Sequence, residues 1–314
     1  MRWVAGRPDV AVIGAKGFLG SHVVTALREL GVNVEGFSRD TPFADRGGRP
    51  APALAGASVI YYFATSITPS IAGLRPDMVA ADRDVFLMLL GALAECAGPR
   101  VVVLASSGGI VYDPQRTPPY AEDAPLAPVS AYGEAKLRLE RDLAECGVAG
   151  LVPVIARISN VYGPGQRTGR GQGVVTQWMH ALKAGQPLCI RGDPGTVRDY
   201  VYAGDVAEAM TAIYRAVLLP GGLPRTVNIG SGQPTSLTRL LNMVLSVTGT
   251  DAAVEYATGH PFDQRNEWLD ISLAARTLGW QPRTTLLTGL SRTWAALPQD
   301  RTGQAAAGRG RTGS

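Results

Sequence analysis

Short apolar runs alternate with stretches of helical periodicity through the first half of the chain. Val10–Ile13, Val32–Phe37 and Val59–Ala64 are predicted strands, and Val101–Ala105 is apolar throughout, as in a strand buried on both faces. The predicted helices between them lie at residues 19–30, 81–97 and 131–146. This alternation predicts βαβ units, and hence an α/β fold built on a doubly wound parallel sheet.

Beyond Asn160 the pattern changes. A glycine-rich loop at residues 163–173 is followed by a predicted helix, and the helix predicted at 205–219 is expected to return to the main sheet. The short run at 227–230 is assigned to a smaller lobe. The chain is thus divided into a main domain over 1–165 joined by 200–226, a smaller C-terminal lobe over 166–199 and 227–298, and a tail over 299–314 whose Gly, Ala, Arg and Thr content predicts disorder.

The composition fits a protein that buries a sizeable core. The 314 residues are 46% hydrophobic and 18% charged, with a net charge of +4. The basic residues form no stripe interleaved with aromatic side chains, which argues against a nucleic-acid partner. No run approaches the length of a membrane span, so no membrane partner is expected. The three cysteines are widely spaced and predict neither a disulfide framework nor a metal site, so the expected compartment is the reducing cytoplasm.

Three glycines, Gly14, Gly17 and Gly20, lie between the first predicted strand and the first predicted helix. Glycines there let the backbone approach a pyrophosphate, while the helix N-terminus supplies N–H donors and partial positive charge. The segment therefore predicts a dinucleotide site, which makes the main domain a Rossmann-like, dinucleotide-binding one. The predicted contacts are Gly14, Lys16, Gly17, Phe18, Leu19 and Gly20, with Ala64 at the end of the third strand.

The spacing Gly-x-x-Gly-x-x-Gly resembles that of the extended short-chain dehydrogenase/reductase family. A carboxylate at the end of the second strand would bind the adenosine ribose and indicate NAD. This chain has Ser38 and Arg39 there, and a hydroxyl with a guanidinium suits a 2′-phosphate. Lys16, directly before the second glycine, can add a second cation, so NADP(H) is favoured as the cofactor. Asp40, the next residue along the chain, keeps NAD(H) open as the alternative.

Tyr132 and Lys136 are four residues apart on one predicted helix, and hence on one face. A phenol is a weak base near neutral pH, and a nearby ammonium stabilises its ionised form. Such a pair can accept and donate a proton during catalysis. Only three of the 30 Lys and Arg residues are lysines, which makes the position of Lys136 informative. The pair resembles the Tyr-x-x-x-Lys site of the same family.

The predicted strand Val101–Ala105 leads into residues 106–110, Ser-Ser-Gly-Gly-Ile. This stretch resembles the family segment in which a hydroxyl binds the reacting oxygen of the substrate. The slot that often holds the hydroxyl falls on Gly108, so Ser107, one residue earlier, is predicted to supply it.

The second half of the chain resembles the nucleotide-sugar enzymes of this family. Residues 157–164 match an Arg-x-x-Asn-x-Tyr-Gly-Pro segment, in which Asn160 would bind the substrate near its diphosphate. Arg198 would bind the phosphates, for which a planar guanidinium is suited. Residues 259–272 resemble an Arg-Pro-x-Asp…Asp-Ile-Ser segment, in which Asp263 would accept a ribose hydroxyl. No metal ligands occur at the required spacing, so no metal is expected.

The resemblance implies an NAD(P)-dependent enzyme acting on a nucleotide-diphosphate sugar. Family dehydratases carry an Asp-Glu pair in the slots of Gly109 and Ile110, and enzymes that epimerise at C3/C5 and reduce C4 carry a cysteine in the latter, so neither activity is expected. The main hypothesis is an NADPH-dependent 4-ketoreductase of an NDP-4-keto-6-deoxyhexose. The alternative is an NDP-sugar 4-epimerase with tightly bound NAD, since both reactions use the same catalytic residues.

A third hypothesis, from another class, is a non-catalytic dinucleotide-binding sensor, against which Tyr132 and Lys136 argue. Family members commonly dimerise through two helices of each subunit. A homodimer is therefore expected, with the helices predicted at 81–97 and 131–146 at its interface. The sequence does not specify the sugar, the nucleotide or the face of hydride attack.

Overall fold

The computed structural model describes residues 9–168, 173–219, 222–259 and 266–298. The strands are β1 (Val10–Ile13), β2 (Val34–Phe37), β3 (Val59–Tyr62), β4 (Arg100–Ser107), β5 (Leu151–Ile158), β6 (Asn160–Tyr162), β7 (Leu188–Arg191), β8 (Val197–Tyr202), β9 (Thr226–Ile229), β10 (Pro234–Ser236) and β11 (Val254–Ala257). The helices are α1 (Phe18–Glu29), α2 (Pro52–Gly56), α3 (Pro69–Ala72), α4 (Pro76–Ala94), α5 (Ala131–Glu145), α6 (Val174–Lys183), α7 (Ala203–Val217), α8 (Leu237–Thr248), α9 (Ser272–Leu278) and α10 (Leu286–Ala295). The predicted site residue Asp263 and the predicted tail at 299–314 lie outside the described residues.

Six strands form one parallel sheet in the order β2-β1-β3-β4-β5-β9. The chain runs from β1 outward to β2 and then crosses back to β3, so the strand order reverses between β1 and β3. Open parallel sheets bind their ligands at such a switch point, outside the carboxyl ends of the strands. The predicted doubly wound α/β fold is confirmed.

Helices cover both faces of this sheet. Val10 and Val12 of β1 face a hydrophobic layer that includes residues of α1 and α7, while Ala11 and Ile13 face a second layer that includes residues of α4 and α5. Successive side chains of a strand point to opposite faces, so a strand covered on both sides must be apolar at every position. This requirement explains why β1 and β3 are apolar and buried along their whole length.

β9 corrects the predicted extent of the lobe. The sequence pattern assigns residues 227–230 to the lobe, but β9 pairs with β5 and is the outer strand of the main sheet. α7 precedes β9 along the chain, packs on the main sheet and returns the chain to the edge of that sheet. The apolar run that follows therefore joins the sheet as a parallel strand. Val227 and Ile229 are fully buried there. The other boundaries between domain and lobe stay a prediction.

Two elements on the cleft side are longer than predicted. β4 continues to Ser107 instead of ending at Ala105, because its last residues pair with Arg157 and Ile158 of β5. α4 begins at Pro76 instead of Ala81, with the proline in the first turn, where its missing N–H costs nothing.

The smaller lobe is built on two small sheets. β8 lies between β10 and β6, and β7 pairs with β11. The lobe core includes Trp178 and Met179 of α6, Leu240 of α8 and Leu290 of α10. Within the described ranges, none of the helices combines the length and the apolar character that crossing a bilayer requires.

Candidate active site

A cleft of about 2090 Å³ lies at the carboxyl ends of the strands, with walls from the main sheet and from the lobe. Residues that are far apart in the sequence come together in it. Those predicted residues that line it are Gly14, Lys16, Gly17, Phe18, Leu19, Gly20, Ser38, Arg39, Ala64, Ser107, Tyr132, Lys136, Asn160 and Arg198. They comprise every predicted site residue except Asp263, which is outside the described part of the chain.

The glycine loop turns sharply between β1 and α1. Gly14 has a φ of +88°, and a Cβ there would lie 2.8 Å from the amide nitrogen of Ala64. A Cβ at Gly20 would overlap the carbonyl oxygen of Gly14. Both positions therefore require glycine. Gly17 is the N-cap of α1, so no side-chain oxygen covers the start of the helix. This is the form of site that a pyrophosphate needs.

The end of β2 carries charges of both signs. Ser38 and Arg39 line the cleft immediately after the strand. The Lys16 ammonium donates to Asp40 at 2.9 Å in an exposed ion pair, and it holds the pKa of the Asp40 carboxyl below its usual range. The two cations that suit a 2′-phosphate are thus accompanied by one carboxylate. Asp40 offsets part of the positive charge on which the prediction of NADP(H) depends.

α5 presents Tyr132 and Lys136 to the cleft. The Ser130 side chain caps the helix by accepting a hydrogen bond from the Gly133 amide at 3.1 Å. A Cβ at Gly133 would lie 2.6 Å from the carbonyl oxygen of Ile110, so this glycine lets the helix begin close to the loop after β4. The Lys136 ammonium lies 5.6 Å from the centre of the Tyr132 ring and is carried by a buried side chain. The fold thus brings the predicted phenol and ammonium together at the cleft.

β4 brings Ser107, rather than Gly108, to the cleft. Ser107 pairs with Ile158 in the last register position of the strand and lines the cleft, while Gly108 is not among the lining residues. A Cβ at Gly108 would lie 2.6 Å from Cδ1 of Leu269, because this leucine fills the space beside the glycine. A hydroxyl one residue earlier than the family slot is therefore compatible with the packing.

A buried polar network, which the sequence analysis missed, lies behind these residues. Glu140 of α5 accepts hydrogen bonds from Ser106 of β4 at 2.5 Å and from Arg157 of β5 at 2.8 Å. The side chains of Arg157 and Glu140 are 5% and 4% exposed. Arg157 also donates to the Tyr112 hydroxyl at 3.1 Å. The available signal was that Glu140 follows Lys136 by four residues, which puts both on one face of the helix.

Asn160 and Arg198 meet at a carboxylate that the sequence analysis also missed. Oε1 of Glu267 accepts a hydrogen bond from Nδ2 of Asn160 at 3.2 Å and lies 3.2 Å from Nε of Arg198. Nη1 of Arg198 donates to the carbonyl oxygen of Val197 at 3.0 Å. Arg191 lines the cleft as well. The two residues predicted to bind the diphosphate are therefore neighbours, linked by Glu267.

The segments around this pair are held by Asp199, whose side chain is almost fully buried. Its carboxylate accepts hydrogen bonds from the amide and hydroxyl of Ser231 at 2.7 and 2.6 Å and from the Gly232 amide at 3.1 Å. It also accepts one from the Ser159 hydroxyl at 3.2 Å. Burial raises the pKa of Asp199, while these hydrogen bonds act in the opposite direction. Asp199 thus ties β8 to the residue before Asn160.

Asp82 of α4 fixes the segment that follows β3. It accepts hydrogen bonds from the Thr65 hydroxyl at 2.7 Å and from the amide and hydroxyl of Ser66 at 2.8 and 2.5 Å. All three residues line the cleft, where the sequence predicted Ala64 only.

Among the described residues, no group of three or more His, Cys, Asp or Glu side chains could hold a metal ion.

Comparison with known proteins points to one family. The model of the NAD dependent epimerase/dehydratase family matches residues 10–230. The chain is 33% identical to the UDP-glucose 4-epimerase of Mycolicibacterium smegmatis over 75% of this chain and 74% of that protein. It is 31% identical to the dTDP-4-dehydro-6-deoxyglucose reductase of Escherichia coli over 62% of this chain and 60% of that protein.

The structure gives the same result. The UDP-glucose 4-epimerase of Thermus thermophilus, solved in complex with NAD, superposes with a TM-score of 0.78 at 27% identity. The match covers 92% of this chain and 98% of that chain.

Proposed function

Because the chain belongs to the NAD-dependent epimerase/dehydratase family, which is a family of enzymes, we propose that it is a 4-epimerase of a nucleotide-diphosphate sugar that holds NAD throughout turnover. The observation that carries this proposal is the single cleft in which Tyr132, Lys136 and Ser107 lie with both the glycine loop and the pair Asn160 and Arg198. The glycine loop suits a dinucleotide, and the pair Asn160 and Arg198 suits an anionic nucleotide sugar. The relatives named UDP-glucose 4-epimerase support a UDP-sugar as the substrate.

The residues present fit the cofactor. The glycine loop lets the backbone come close to a pyrophosphate, and the start of α1 offers its N–H groups to it. Ser38 and Arg39 would lie beside the adenosine end, and Lys136 would contact the end beside Tyr132. When bound, the nicotinamide supplies the removal and return of a hydride at C4 of the sugar.

Tyr132 is proposed to act as the acid and base. It would accept the proton of the C4 hydroxyl as C4 becomes a ketone, and return that proton to the C4 oxygen as the alcohol re-forms. The Lys136 ammonium beside the ring would stabilise the phenolate by its charge. Ser107 would donate a hydrogen bond to the same oxygen and hold it within reach of the phenol.

Inversion at C4 requires the 4-keto sugar to present its other face before the alcohol re-forms. Asn160 and Arg198 would keep the diphosphate bound while the 4-keto sugar rotates, so that this intermediate is not released. A cleft of about 2090 Å³ leaves room for such a movement. Tyr132 would then act both in the oxidation at C4 and in the return to the alcohol without changing its position.

A second candidate is a 4-ketoreductase that uses NADPH, and the end of β2 favours it. Net reduction needs a reduced cofactor from an exchangeable pool, and Arg39 with Ser38 suits the 2′-phosphate of NADPH. The similarity to the Escherichia coli reductase supports this candidate. We place the reductase second for two reasons. Asp40 neutralises Lys16, and the match to the Mycolicibacterium smegmatis epimerase covers a larger share of this chain than the match to the Escherichia coli reductase.

The test is to incubate the purified enzyme with UDP-glucose and, separately, with UDP-galactose, without added cofactor. We expect both reactions to reach the same equilibrium mixture, and acid denaturation to release NAD. Tyr132→Phe should lower the rate by about 10²- to 10⁴-fold. If no epimerisation occurs while an NDP-4-keto-6-deoxyhexose oxidises NADPH, the second candidate replaces the first. Inactivity on UDP- and dTDP-sugars in both assays would favour the sensor hypothesis.

We further propose a homodimer formed through α4 and α5. The proposal rests on the resemblance to a family whose members commonly pack two helices of each subunit together, and Leu87 of α4, which is 38% exposed, is an apolar side chain that such packing would cover. α4 and α5 are already joined within one chain by the ion pair of Arg83 and Asp142. Light scattering at micromolar concentration should give twice the mass of the chain. A monomer mass there would remove this proposal.

A further inference from the structure

Glu140 connects three elements of the candidate active site. Its Oε1 accepts a hydrogen bond from Oγ of Ser106 at 2.5 Å, and its Oε2 accepts from Nη2 and Nε of Arg157 at 2.8 and 3.2 Å. Ser106 directly precedes Ser107 on β4, and Arg157 lies near the end of β5, shortly before Asn160. Glu140 itself is one helical turn beyond Lys136 on α5. One carboxylate on α5 therefore bonds to the two strands that lead to Ser107 and Asn160.

This ion pair is closed off from solvent. Glu140, Arg157 and Ser106 are all buried, and Nη1 of Arg157 is taken up by the Tyr112 hydroxyl at 3.1 Å and the Glu122 carbonyl oxygen at 3.0 Å. A buried ion pair is weak evidence for stability, because well-packed apolar side chains of similar volume stabilise a core as well or better. Its presence beneath the cleft therefore calls for a role other than stability.

α5 also makes apolar contacts with the sheet. Leu139 and Leu143 pack in the hydrophobic layer under β3 and β4. The hydrophobic driving force is itself non-directional, so this packing sets the rotation of the helix less sharply than hydrogen bonds do. Hydrogen bonds to a carboxylate have direction, and those of Glu140 fix both the rotation of α5 and its height relative to β4. Tyr132 and Lys136 lie on the same helix, so their reach into the cleft depends on that setting.

We propose that Glu140 is a positioning residue for the reaction: through Ser106 and Arg157 it sets where Tyr132 and Lys136 stand relative to Ser107 and Asn160. The inference rests on the proposed function, because it concerns the same site. A misplacement of about 1 Å at a reacting group can lower a rate by about 10²-fold. Loss of Glu140 should therefore appear in kcat more than in the KM of the nucleotide sugar.

α5 offers a matched control in Asp142. Its carboxylate also makes a two-point ion pair, accepting from Nε and Nη2 of Arg83 at 2.8 and 2.9 Å. Arg83 lies on α4, and Asp142 does not line the cleft. The control thus removes an ion pair from the same helix without releasing the strands that lead to Ser107 and Asn160.

The kinetic test compares Glu140→Gln, Ser106→Ala and Asp142→Asn with the wild type. Glu140→Gln should lower kcat by about 10- to 100-fold and leave KM within about threefold. Ser106→Ala, which removes the hydrogen bond between β4 and Glu140, should lower kcat by about threefold to tenfold. Asp142→Asn should leave kcat within about twofold of the wild type. Equal kcat in Glu140→Gln and Asp142→Asn would overturn the proposal.

A double variant separates positioning from stability. Glu140→Met with Arg157→Met replaces the ion pair by apolar side chains and should regain the stability that Glu140→Gln loses by leaving a buried charge unpaired. It cannot rebuild the hydrogen bonds to β4 and Tyr112, so kcat should stay low. If kcat recovers together with the thermal midpoint, Glu140 has a structural role only and the proposal is wrong.

A readout without substrate distinguishes failure of this inference from failure of the proposed function. Amide hydrogen exchange is compared among the wild type, Glu140→Gln and Asp142→Asn. The amides compared are those of residues 132–137 and of Gly108, whose amide donates to the Ile158 carbonyl oxygen at 2.7 Å. Exchange there should be about tenfold faster in Glu140→Gln and unchanged in Asp142→Asn. This holds even if the wild type turns over no nucleotide sugar, in which case only the proposed function fails. Equal exchange in both variants contradicts the positioning role.

Discussion

Substituting serine for Gly108 would restore a hydroxyl to the slot that the family often uses, yet the structure predicts that the change harms the protein. A Cβ at Gly108 would lie 2.6 Å from Cδ1 of Leu269 and 3.2 Å from the Arg157 carbonyl oxygen. Leu269 is 1% exposed and belongs to a cluster with Tyr112 and Tyr120, so moving its side chain would disturb the packing of that cluster. The other neighbour is the backbone of β5, which belongs to the main sheet.

The size of the effect follows from these contacts. Forcing extra atoms into a filled core position costs about 1–3 kcal/mol. The Cβ would lie 3.2 Å from the Arg157 carbonyl oxygen, so a serine hydroxyl that rotates toward this oxygen can donate a hydrogen bond to it, and no unmade hydrogen bond adds to the cost. We therefore expect a loss of about 1–3 kcal/mol from the free energy of unfolding, and no gain in kcat, because the new side chain points at Leu269 instead of into the cleft.

Urea unfolding followed by tryptophan fluorescence, together with kcat, provides the assay. Ser107→Ala is the comparison: its free energy of unfolding should change by no more than about 0.5 kcal/mol, while kcat should fall by about 10²-fold. Adding Leu269→Ala to Gly108→Ser should relieve the clash, so the two changes should couple by about 0.5–3 kcal/mol. A Gly108→Ser variant as stable as the wild type and more active, alongside an unimpaired Ser107→Ala, would refute this reasoning.

Three further predictions concern single contacts. Gly109 has a φ of +83°, and a Cβ there would lie 2.8 Å from the carboxylate carbon of Glu267. Gly109→Ala should therefore displace Glu267. In initial-rate measurements, the KM of the nucleotide sugar should rise by about tenfold, with a smaller change in kcat. Arg39→Ala should weaken NADP(H) binding by about tenfold and leave NAD(H) binding within about twofold in fluorescence titrations; equal weakening of both would contradict a 2′-phosphate contact. Asp205 accepts hydrogen bonds from the amide and hydroxyl of Thr284 at 3.0 Å each, so Asp205→Asn should lower the free energy of unfolding by about 1–3 kcal/mol without changing kcat, and a loss of activity at unchanged stability would contradict this structural role.

Local sequence rules are sufficient for the inner strands of the sheet and for the glycine loop. β1 is apolar at every position because both of its faces are covered, and the glycines that follow are needed where the backbone turns too tightly for a Cβ. The same rules fail at the end of β4, where Ser106 and Ser107 suggest a loop. The strand continues because both residues pair with β5, and the Ser106 hydroxyl is accommodated in the interior because it bonds to Glu140. Nothing within a strand-length window shows either partner.

The substrate side shows the same limit more strongly. Asn160 and Arg198 are recognisable from their segments, but the carboxylate that links them, Glu267, comes from a distant part of the chain. β9 was assigned to the lobe for a related reason, since its partner β5 is reached only through tertiary packing. Spacing along the chain reports which residues share one element; which elements meet is set by the packing of the whole core.

Asp40 is the residue on which the choice between the two candidate functions depends most directly. Its carboxylate pairs with Lys16 at 2.9 Å, and both side chains are largely exposed, so the pair itself contributes little to stability. Its effect on a bound anion is larger, because it removes one of two positive charges at the end of β2. Asp40→Asn should release the Lys16 ammonium and tighten NADP(H) binding by about threefold to tenfold at low salt, with less effect at high salt and little on NAD(H). Asp77→Asn, which breaks an exposed ion pair with Arg75 away from the cleft, is the control and should change neither affinity. Should NADP(H) bind no more tightly to Asp40→Asn than to the wild type, Lys16 does not face the 2′ position, and the argument for the NADPH-using candidate then rests on Ser38 and Arg39 alone.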